Sequence, residues 1–298
     1  MKGRGTDAAP PNRYERLHVE LEPDDDNPPA EKVATVYYRD ASRTILAEND
    51  SPDVPFRWSL NPYRGCEHGC SYCYARPSHE QLGFNAGIDF ETRIMVKDDA
   101  PALLRKTFLA PRWEPEMISL SGNTDCYQPV ERTLGITRRC LEVFAEFRNP
   151  VGVITKSALV ARDADLLGEL ARHGAVHVLC SITSLDPDLT ARMEPRAARP
   201  HRRLDAIATL AAAGVPVGVM IGPVIPGLND EEIPRILQAA RTAGATSASW
   251  VLLRLAPPLD AIFERWLSEH FPGRKSRVLN RIRDTRGGRI TDSTWGVR

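Results

Sequence analysis

The chain has 298 residues, of which 42% are hydrophobic, which is enough for one large α/β domain with appendages or for two ordinary domains. Its formal net charge is zero, so no global electrostatic field draws it to nucleic acid. The sequence has no apolar run near the ~18 residues that span a bilayer, and its N-terminus lacks the apolar segment of a secretory signal. Six cysteines, three of them clustered, indicate a reducing compartment rather than a disulfide framework. We therefore expect a cytoplasmic protein without membrane contact.

The first part of the chain predicts extensions ahead of a folded domain. Residues 1–32 predict a disordered tail, because they combine paired prolines, an acidic run and few apolar side chains. Residues 33–55 predict an N-terminal lead-in with short strands. The segment 56–61 predicts a strand that runs directly into a loop rich in cysteine.

Strands and helices alternate from this point to residue 270. The further strands are predicted at 117–121, 151–156, 176–183, 215–221 and 249–254. The helices are predicted at 131–147, 163–173, 201–213, 231–243 and 259–270. Six such units imply parallel strands joined by right-handed crossovers, whereas a closed eight-fold barrel would need two more units. The sequence therefore predicts an α/β fold, a partial (β/α)6 barrel over 56–270, followed by a short C-terminal helical extension over 271–298.

Three cysteines in the loop after the first barrel strand carry the strongest chemical signal. Cys66, Cys70 and Cys73 have the spacing Cys-x3-Cys-x2-Cys. A cubane [4Fe–4S] cluster takes four ligands, so three thiolates leave one iron open for a substrate or cofactor. Structural zinc, with His68 as a fourth ligand, and a disulfide pair with a leftover thiol are the alternatives. The loop lies at the carboxyl end of its strand, where ligands bind in parallel sheets.

Several blocks around these cysteines resemble a known family. The loop reads Asn-Pro-Tyr-Arg-Gly-Cys-Glu-His-Gly-Cys-Ser-Tyr-Cys-Tyr-Ala-Arg-Pro, and the blocks Gly-Asn-Thr-Asp, Thr-Lys-Ser and Pro-Gly-Leu-Asn-Asp follow. Over about residues 40–290 the chain resembles the radical S-adenosylmethionine (SAM) superfamily, in particular its spore-photoproduct-lyase-related branch. The resemblance implies a three-quarter barrel, a [4Fe–4S] cluster on the three cysteines, and SAM chelated to the open iron. It also implies reductive cleavage of SAM to a 5′-deoxyadenosyl radical.

The same resemblance implies positions for the parts of SAM. Tyr72 is expected near the adenine, with a core aromatic as the alternative. Gly122, Asn123 and Asp125 stand where the superfamily has a Gly-Gly-Glu-like turn that receives the SAM amino group, although a plain turn capped by Asp125 is the alternative. Lys156 follows the third strand and is expected to pair with the SAM carboxylate.

Three further residues extend this predicted SAM site. The hydroxyl of Ser181 is expected to meet the ribose or the carboxylate. Arg203 is a candidate second partner of the carboxylate, although a surface position is the alternative. Val224 is expected to contact the adenine.

The sequence departs from the branch at the hydrogen-atom donor. Spore photoproduct lyases use a cysteine just after the second strand, and the matching stretch 121–125 has none. Cys126 comes next and could replace that donor, with Tyr127 passing the radical on toward SAM. The alternative is a cysteine that packs as a small hydrophobe.

The substrate stays open at this level. A nucleic-acid base or dimer, as in DNA photoproduct repair, a modified tRNA nucleotide and a protein side chain all suit the chemistry. Arginines between residues 254 and 289 weakly favour a phosphate-bearing partner. We expect a monomer that receives electrons from a flavodoxin or ferredoxin. The non-enzyme alternative is a metal-stabilised binding module.

Overall fold

The computed structural model describes residues 3–14, 33–50 and 54–291. Within these ranges the strands are β1 (Val36–Arg39), β2 (Leu46–Glu48), β3 (Trp58–Leu60), β4 (Tyr63–Arg64), β5 (Arg93–Val96), β6 (Ile118–Leu120), β7 (Val151–Thr155), β8 (Val176–Ser181), β9 (Val217–Val224) and β10 (Ser247–Leu252). The helices are α1 (Ile88–Thr92), α2 (Ala100–Phe108), α3 (Glu131–Leu134), α4 (Ile136–Phe147), α5 (Ala164–Arg172), α6 (Pro187–Met193), α7 (Pro200–Ala212), α8 (Ile233–Thr242), α9 (Leu259–His270) and α10 (Lys275–Asp284).

The main sheet confirms the predicted α/β architecture. Its seven strands lie in the order β10-β9-β8-β7-β6-β3-β2. Six of them, β3, β6, β7, β8, β9 and β10, are parallel and follow one another in chain order, and β2 pairs antiparallel with β3 at one edge. These six are the six strands predicted from the sequence. Their carboxyl ends therefore form one edge, onto which the following loops open.

The hydrophobic pattern explains why these elements pack as they do. The central strands are rich in valine and isoleucine, as expected for strands that are largely buried. Gly174 and Gly214 follow α5 and α7 with φ of +63° and +76°, a left-handed conformation that ends a helix at little cost to glycine. A second apolar cluster forms where α9 and α10 pack against the cysteine loop, and it includes Cys70 and Tyr72.

Two features differ from the sequence-based expectation. The helix predicted over 131–147 is divided into α3 and α4, because Gly135 adopts a φ of +63° between them. A three-stranded sheet in the order β1-β5-β4 lies beside the cysteine loop, and β5 and α2 were not predicted. Their segments are short and lie between the loop and β6, where no periodic pattern marks them.

The N-terminal region also differs in part. Residues 3–14, within the predicted tail, pack against the folded domain through several hydrogen bonds. The rest of that predicted tail, residues 1–2 and 15–32, lies outside the described residues. The lead-in over 33–55, the barrel over 56–270 and the extension over 271–298 stay predictions as domain boundaries. In the parts of the chain described above, no helix is long and apolar enough to cross a membrane.

Candidate active site

The cysteine loop, residues 61–74, follows β3 and includes β4. Gly65 and Gly69 have φ of +79° and +67°, which allows the tight folding of the loop. A methyl group on Gly69 would also lie 2.7 Å from the Oε2 of Glu91, so the backbone there is closely packed. The thiols of Cys66 and Cys70 are buried, and that of Cys73 is half-buried.

Backbone groups of the loop bond to distant elements. The amide of Glu67 donates to Oε1 of Gln128 at 2.9 Å, and Nε2 of Gln128 donates to the carbonyl of Gly65 at 3.2 Å. The amide of Ser71 donates to the carbonyl of Met193 at 3.0 Å. The loop is therefore held in place from two sides before any metal binds.

The donor set fits an iron–sulfur cluster. The thiols of Cys66, Cys70 and Cys73 are free, and burial raises the pKa of each, so they are protonated until a metal displaces the protons. The Oγ of Ser71 is buried without a hydrogen-bond partner, and a cluster sulfide is an acceptor that would satisfy such a hydroxyl. Across the described residues, no three Cys, His, Asp or Glu side chains converge on one metal ion. A cubane places its thiolates on separate irons and does not require that convergence.

Buried charges gather beside the loop at the carboxyl ends of β7, β8 and β9. We call Tyr72, Lys156, Thr183, Glu194 and Arg203 the Glu194 cluster. The Glu194 carboxylate accepts hydrogen bonds from the hydroxyls of Tyr72 and Thr183 and from the guanidinium of Arg203. The Nζ of Lys156 lies 3.5 Å from Oε1 of Glu194. The fold brings these residues together from five separate segments of the chain.

The Glu194 cluster has more positive than negative charge. Glu194 and Arg203 are fully buried, whereas 16% of the Lys156 side chain is exposed. The Nζ of Lys156 donates to the carbonyl of Gly222 at 2.7 Å and lies 5.6 Å from the centre of the Tyr72 ring. Two cations therefore surround one carboxylate, and Lys156 is the accessible cation of the pair.

Burial and the neighbouring charges act in opposite directions on Glu194. Burial pushes the pKa of this carboxyl upward, but Arg203, Lys156 and the two hydroxyls outweigh it and hold the pKa well below its ordinary value. Glu194 therefore stays ionised at neutral pH.

Asp125 connects the cysteine loop to β7. Its carboxylate accepts from the amide of Lys156 at 2.8 Å and from the hydroxyl of Thr155 at 2.7 Å, and it lies 3.3 Å from Nδ1 of His68. Burial raises the pKa of Asp125, but His68 and the hydrogen bonds lower it by a larger amount, so the pKa lies below its ordinary value. The predicted acceptor for the SAM amino group is therefore a buried carboxylate that already has several donors.

Gly122 and Asn123 lie next to this carboxylate at the end of β6. The carbonyl of Gly122 accepts from the hydroxyl of Tyr74 at 2.7 Å, and the amide of Asn123 donates to Oδ1 of Asn61 at 2.8 Å. The turn is therefore tied to both ends of the cysteine loop. Its predicted contact with SAM stays a prediction.

Ser181 and Val224 are the last residues of β8 and β9, so β9 extends three residues beyond its predicted end at residue 221. The carbonyl of Ser181 accepts from Nη1 of Arg203 at 2.9 Å, so the backbone of Ser181 orients the Glu194 cluster. Val224 is buried, and its carbonyl accepts from the amide of Leu253 at 2.9 Å. Arg203 is buried and ion-paired, which differs from the surface alternative considered for it.

Cys126 and Tyr127 are both fully buried in the main hydrophobic core. The amide of Cys126 donates to Oγ of Ser121 at 2.6 Å, and the hydroxyl of Tyr127 donates to Oδ2 of Asp163 at 3.0 Å. Burial raises the pKa of both groups, so both are neutral. A donor and relay function for the pair would have to act from the protein interior, and it stays a prediction.

Two groups at the site were not predicted from the sequence. Glu194, at the end of α6, has no motif that marks it, since a buried carboxylate is recognised by the cations that surround it in space. Arg76 and Glu91 form a fully buried ion pair, and Arg76 also donates to the carbonyl of Cys70 at 3.0 and 2.9 Å. The sequence around these two residues predicts a loop, and no hydrophobic periodicity there indicates that they are buried.

Comparison with known proteins identifies the family. Residues 60–240 match the family model described as the radical SAM superfamily. The chain belongs to this superfamily. An uncharacterized protein of Mycobacterium tuberculosis is 37% identical over 226 residues, which are 75% of this chain and 66% of that protein. An uncharacterized protein of Methanocaldococcus jannaschii is 29% identical over 176 residues, which are 59% of this chain and 63% of that protein. The chain thus spans just under two thirds of these relatives.

Solved structures of radical SAM proteins share the fold. A mutant spore photoproduct lyase with bound AdoMet and dinucleoside spore photoproduct superposes with a TM-score of 0.57 at 18% identity, covering 80% of this chain and 66% of that one. A spore photoproduct lyase complexed with dinucleoside spore photoproduct gives a TM-score of 0.55 at 19% identity, covering 79% and 66%. The parallel sheet predicted from the sequence is therefore the radical SAM fold.

Proposed function

We propose that the protein is an enzyme that binds one [4Fe–4S] cluster through Cys66, Cys70 and Cys73 and cleaves SAM reductively. The observation that carries this proposal is the position of three free cysteines on one loop at the carboxyl edge of a radical SAM sheet. When bound, the cluster supplies the electron that breaks a carbon–sulfur bond of SAM and an open iron for its amino and carboxylate groups. The protein's own residues bind and orient SAM and exclude water.

The Glu194 cluster supports a site for the SAM carboxylate. Lys156 is its accessible cation, and the excess positive charge of the cluster suits an anion. A carboxylate at Lys156 would replace the two longer contacts of Nζ, to Thr183 at 3.4 Å and to Glu194 at 3.5 Å. Tyr72 would then form the wall beside Lys156, since its ring lies under Nζ and its hydroxyl is fixed by Glu194.

The remaining groups of SAM are assigned to the turn after β6 and to the neighbouring strand ends. The ionised Asp125 suits the N–H donors of the SAM amino group, with Gly122 and Asn123 completing the turn. We assign Ser181 to the ribose or the carboxylate, and Val224 to the adenine, because both stand at the same edge of the sheet.

For the substrate we propose a nucleic-acid lesion. The support is the shared fold with spore photoproduct lyase, whose structures hold a dinucleoside photoproduct. Modification of a tRNA nucleotide or of a protein side chain is the competing substrate class. The basic C-terminal region gives little further support, because several of its cations are paired. Such pairs are Lys275–Glu264, Arg281–Asp230 and Arg277–Glu231.

The remaining proposals concern the protein's partners. We propose a flavodoxin or ferredoxin as the electron donor, a cytoplasmic location and a monomeric state. A metal-stabilised binding module is the non-enzyme alternative, and it predicts no turnover of SAM.

Anaerobic reconstitution tests the enzyme. With iron and sulfide we expect about four irons per chain, and dithionite with SAM should then give 5′-deoxyadenosine. Cys66→Ala should lose both signals, whereas the matched variant Cys140→Ala, which removes a thiol from the core, should keep them. Stoichiometric zinc without 5′-deoxyadenosine would contradict the proposal.

A second assay separates the substrate classes. Reconstituted enzyme and SAM are incubated with UV-damaged DNA, undamaged DNA, tRNA and cell peptides. A lesion-specific enzyme should form 5′-deoxyadenosine above the uncoupled background with damaged DNA alone. Stimulation by tRNA or by peptides would move the assignment to that class.

A further inference from the structure

We propose that residues 3–14, which we call the N-terminal strap, are a positioning element of the cluster site. The strap holds the Cys70 segment of the cysteine loop and shields it from water. This proposal rests on the proposed function, since it takes the cysteine loop to be the cluster site. It assigns a function in the site to a segment that composition alone predicts to be a tail.

The strap contacts the domain through its backbone. The amide of Gly5 donates to Oε2 of Glu91 at 3.0 Å, and the amide of Ile88 donates to the carbonyl of Ala8 at 2.9 Å. The Nη1 of Arg4 donates to the carbonyl of Glu91 at 2.9 Å. Backbone hydrogen bonds of this kind fix the path of a segment, because they require one register.

Two glycines show how closely the strap approaches the domain. A methyl group on Gly5 would lie 1.6 Å from the carbonyl oxygen of Gly69, the residue before Cys70. A methyl group on Gly87 would lie 1.8 Å from the carbonyl oxygen of Ala8 in the strap. Neither distance leaves room for a side chain. The strap is therefore in direct backbone contact with the cysteine loop at Gly69 and with the segment before α1 at Gly87.

A buried ion pair connects the strap to a ligating cysteine. Glu91 accepts from Gly5 of the strap and from the guanidinium of Arg76, and Arg76 donates twice to the carbonyl of Cys70. Both side chains are fully buried. A buried pair depends on complete hydrogen bonding and on the exclusion of water, because its desolvation cost is otherwise not offset. Gly5 supplies one of those bonds, so displacing the strap loosens the support of Cys70.

The strap is fixed at two more points, one in its middle and one near its far end. Arg13 forms an ion pair with the buried Glu80, and Asp7 lies 3.0 Å from Arg265 on α9. Ala8 packs against the apolar cluster that contains Cys70 and Tyr72. The strap is thus held near both of its ends, at Arg4 and at Arg13, and it crosses the cysteine loop between these points.

Three methyl insertions test the proposal. Gly5→Ala places a methyl group on the strap against Gly69, and Gly87→Ala places one on the domain against Ala8 of the strap. Gly273→Ala is the matched control, since a methyl group there would meet nothing within 4 Å. The first measurement is cysteine-resolved alkylation of the metal-free chain by iodoacetamide. The rates at Cys66 and Cys70 should rise about fivefold or more in the first two variants, the effect of losing a buried hydrogen bond, and stay unchanged in the control.

The second measurement is made on the reconstituted protein. The midpoint potential of the cluster, followed by electron paramagnetic resonance, should rise in Gly5→Ala and Gly87→Ala, because added solvent exposure favours the more negatively charged reduced state. It should stay unchanged in Gly273→Ala.

Two results would overturn the proposal. One is alkylation of Cys66 and Cys70 at the wild-type rate in both strap variants. The other is an equal rise at Cys140, which lies in the core on α4 and would report general loosening. If the wild-type chain takes up no cluster, the proposed function fails, while the alkylation of the metal-free chain still decides whether the strap positions the loop.

Discussion

Replacing Glu194 with glutamine should destabilise the protein strongly. The substitution keeps the shape of the side chain but removes the negative charge that faces Arg203 and Lys156. Arg203 is fully buried, so its charge would be left in the interior without a counter-ion. Removing one partner of a buried pair costs about 3–5 kcal/mol of unfolding free energy. Since glutamine still accepts hydrogen bonds, we expect a loss near the lower end, about 3 kcal/mol.

The loss should also depend on pH. Because the folded-state pKa of Glu194 is held below its ordinary value of 4.5, its stabilising effect is complete above pH 4.5 and is lost as the pH falls toward the folded-state pKa. The difference in unfolding free energy between wild type and Glu194→Gln should therefore be largest near neutral pH and shrink below pH 4.5.

Urea unfolding of the metal-free chain measures this difference. Glu146→Gln is the matched control, because Glu146 pairs with Arg105 through an equally direct contact, but with both side chains exposed. We expect little change in that variant, since exposed ion pairs contribute little. Equal losses in the two variants, or a loss at Glu194 that persists unchanged in acid, would refute the reasoning.

Three other variants probe separate parts of the molecule. Lys156→Ala should weaken SAM binding by ~1–3 kcal/mol in titration calorimetry, with iron content unchanged and with Lys106→Ala as an exposed control; unchanged affinity would remove Lys156 from the site. Burial lowers the pKa of His79 to about 4, so this side chain should account for a loss of up to ~3 kcal/mol of unfolding free energy as the pH falls from 6.5 to about 4, and His79→Phe should remove that contribution. Cys126→Ala should still consume SAM but divert the product to off-pathway adducts if Cys126 is the hydrogen-atom donor; an unchanged product ratio would make it structural.

Much of the fold could be predicted from the sequence because its signals are local and repeated. Each barrel strand is a short apolar run, and glycines such as Gly174 and Gly214 mark the helix ends. The small sheet could not be predicted, since β1 and β4 gain their partners through β5, a strand of four residues whose sequence, Arg-Ile-Met-Val, does not alternate between polar and apolar residues. Long-range pairing of this kind leaves little trace in any one window of sequence.

The residues of the candidate site also differ in whether local sequence marks them. The cysteine spacing and the Lys156 position at a strand end are local features, so the sequence indicates them. Glu194 and the Arg76–Glu91 pair are defined by partners distant in the chain, and a charged residue in a loop reads as solvated until its partners are known.

The cysteine loop shows why its supports matter as much as its ligands. In the proposed function the thiols of this loop must be reachable by iron. Its backbone groups are therefore not all paired within one helix or strand, and they need partners from other parts of the chain. Those partners are Gln128, the carbonyl of Met193 and, through Arg76 and Glu91, the amide of Gly5. Each satisfies a buried polar group that would otherwise cost free energy, so each limits the positions that the thiols can take. The positions of the three cysteines therefore depend on the whole carboxyl edge and on the strap, and substitutions far from Cys66–Cys73 should also change the surroundings of a bound cluster.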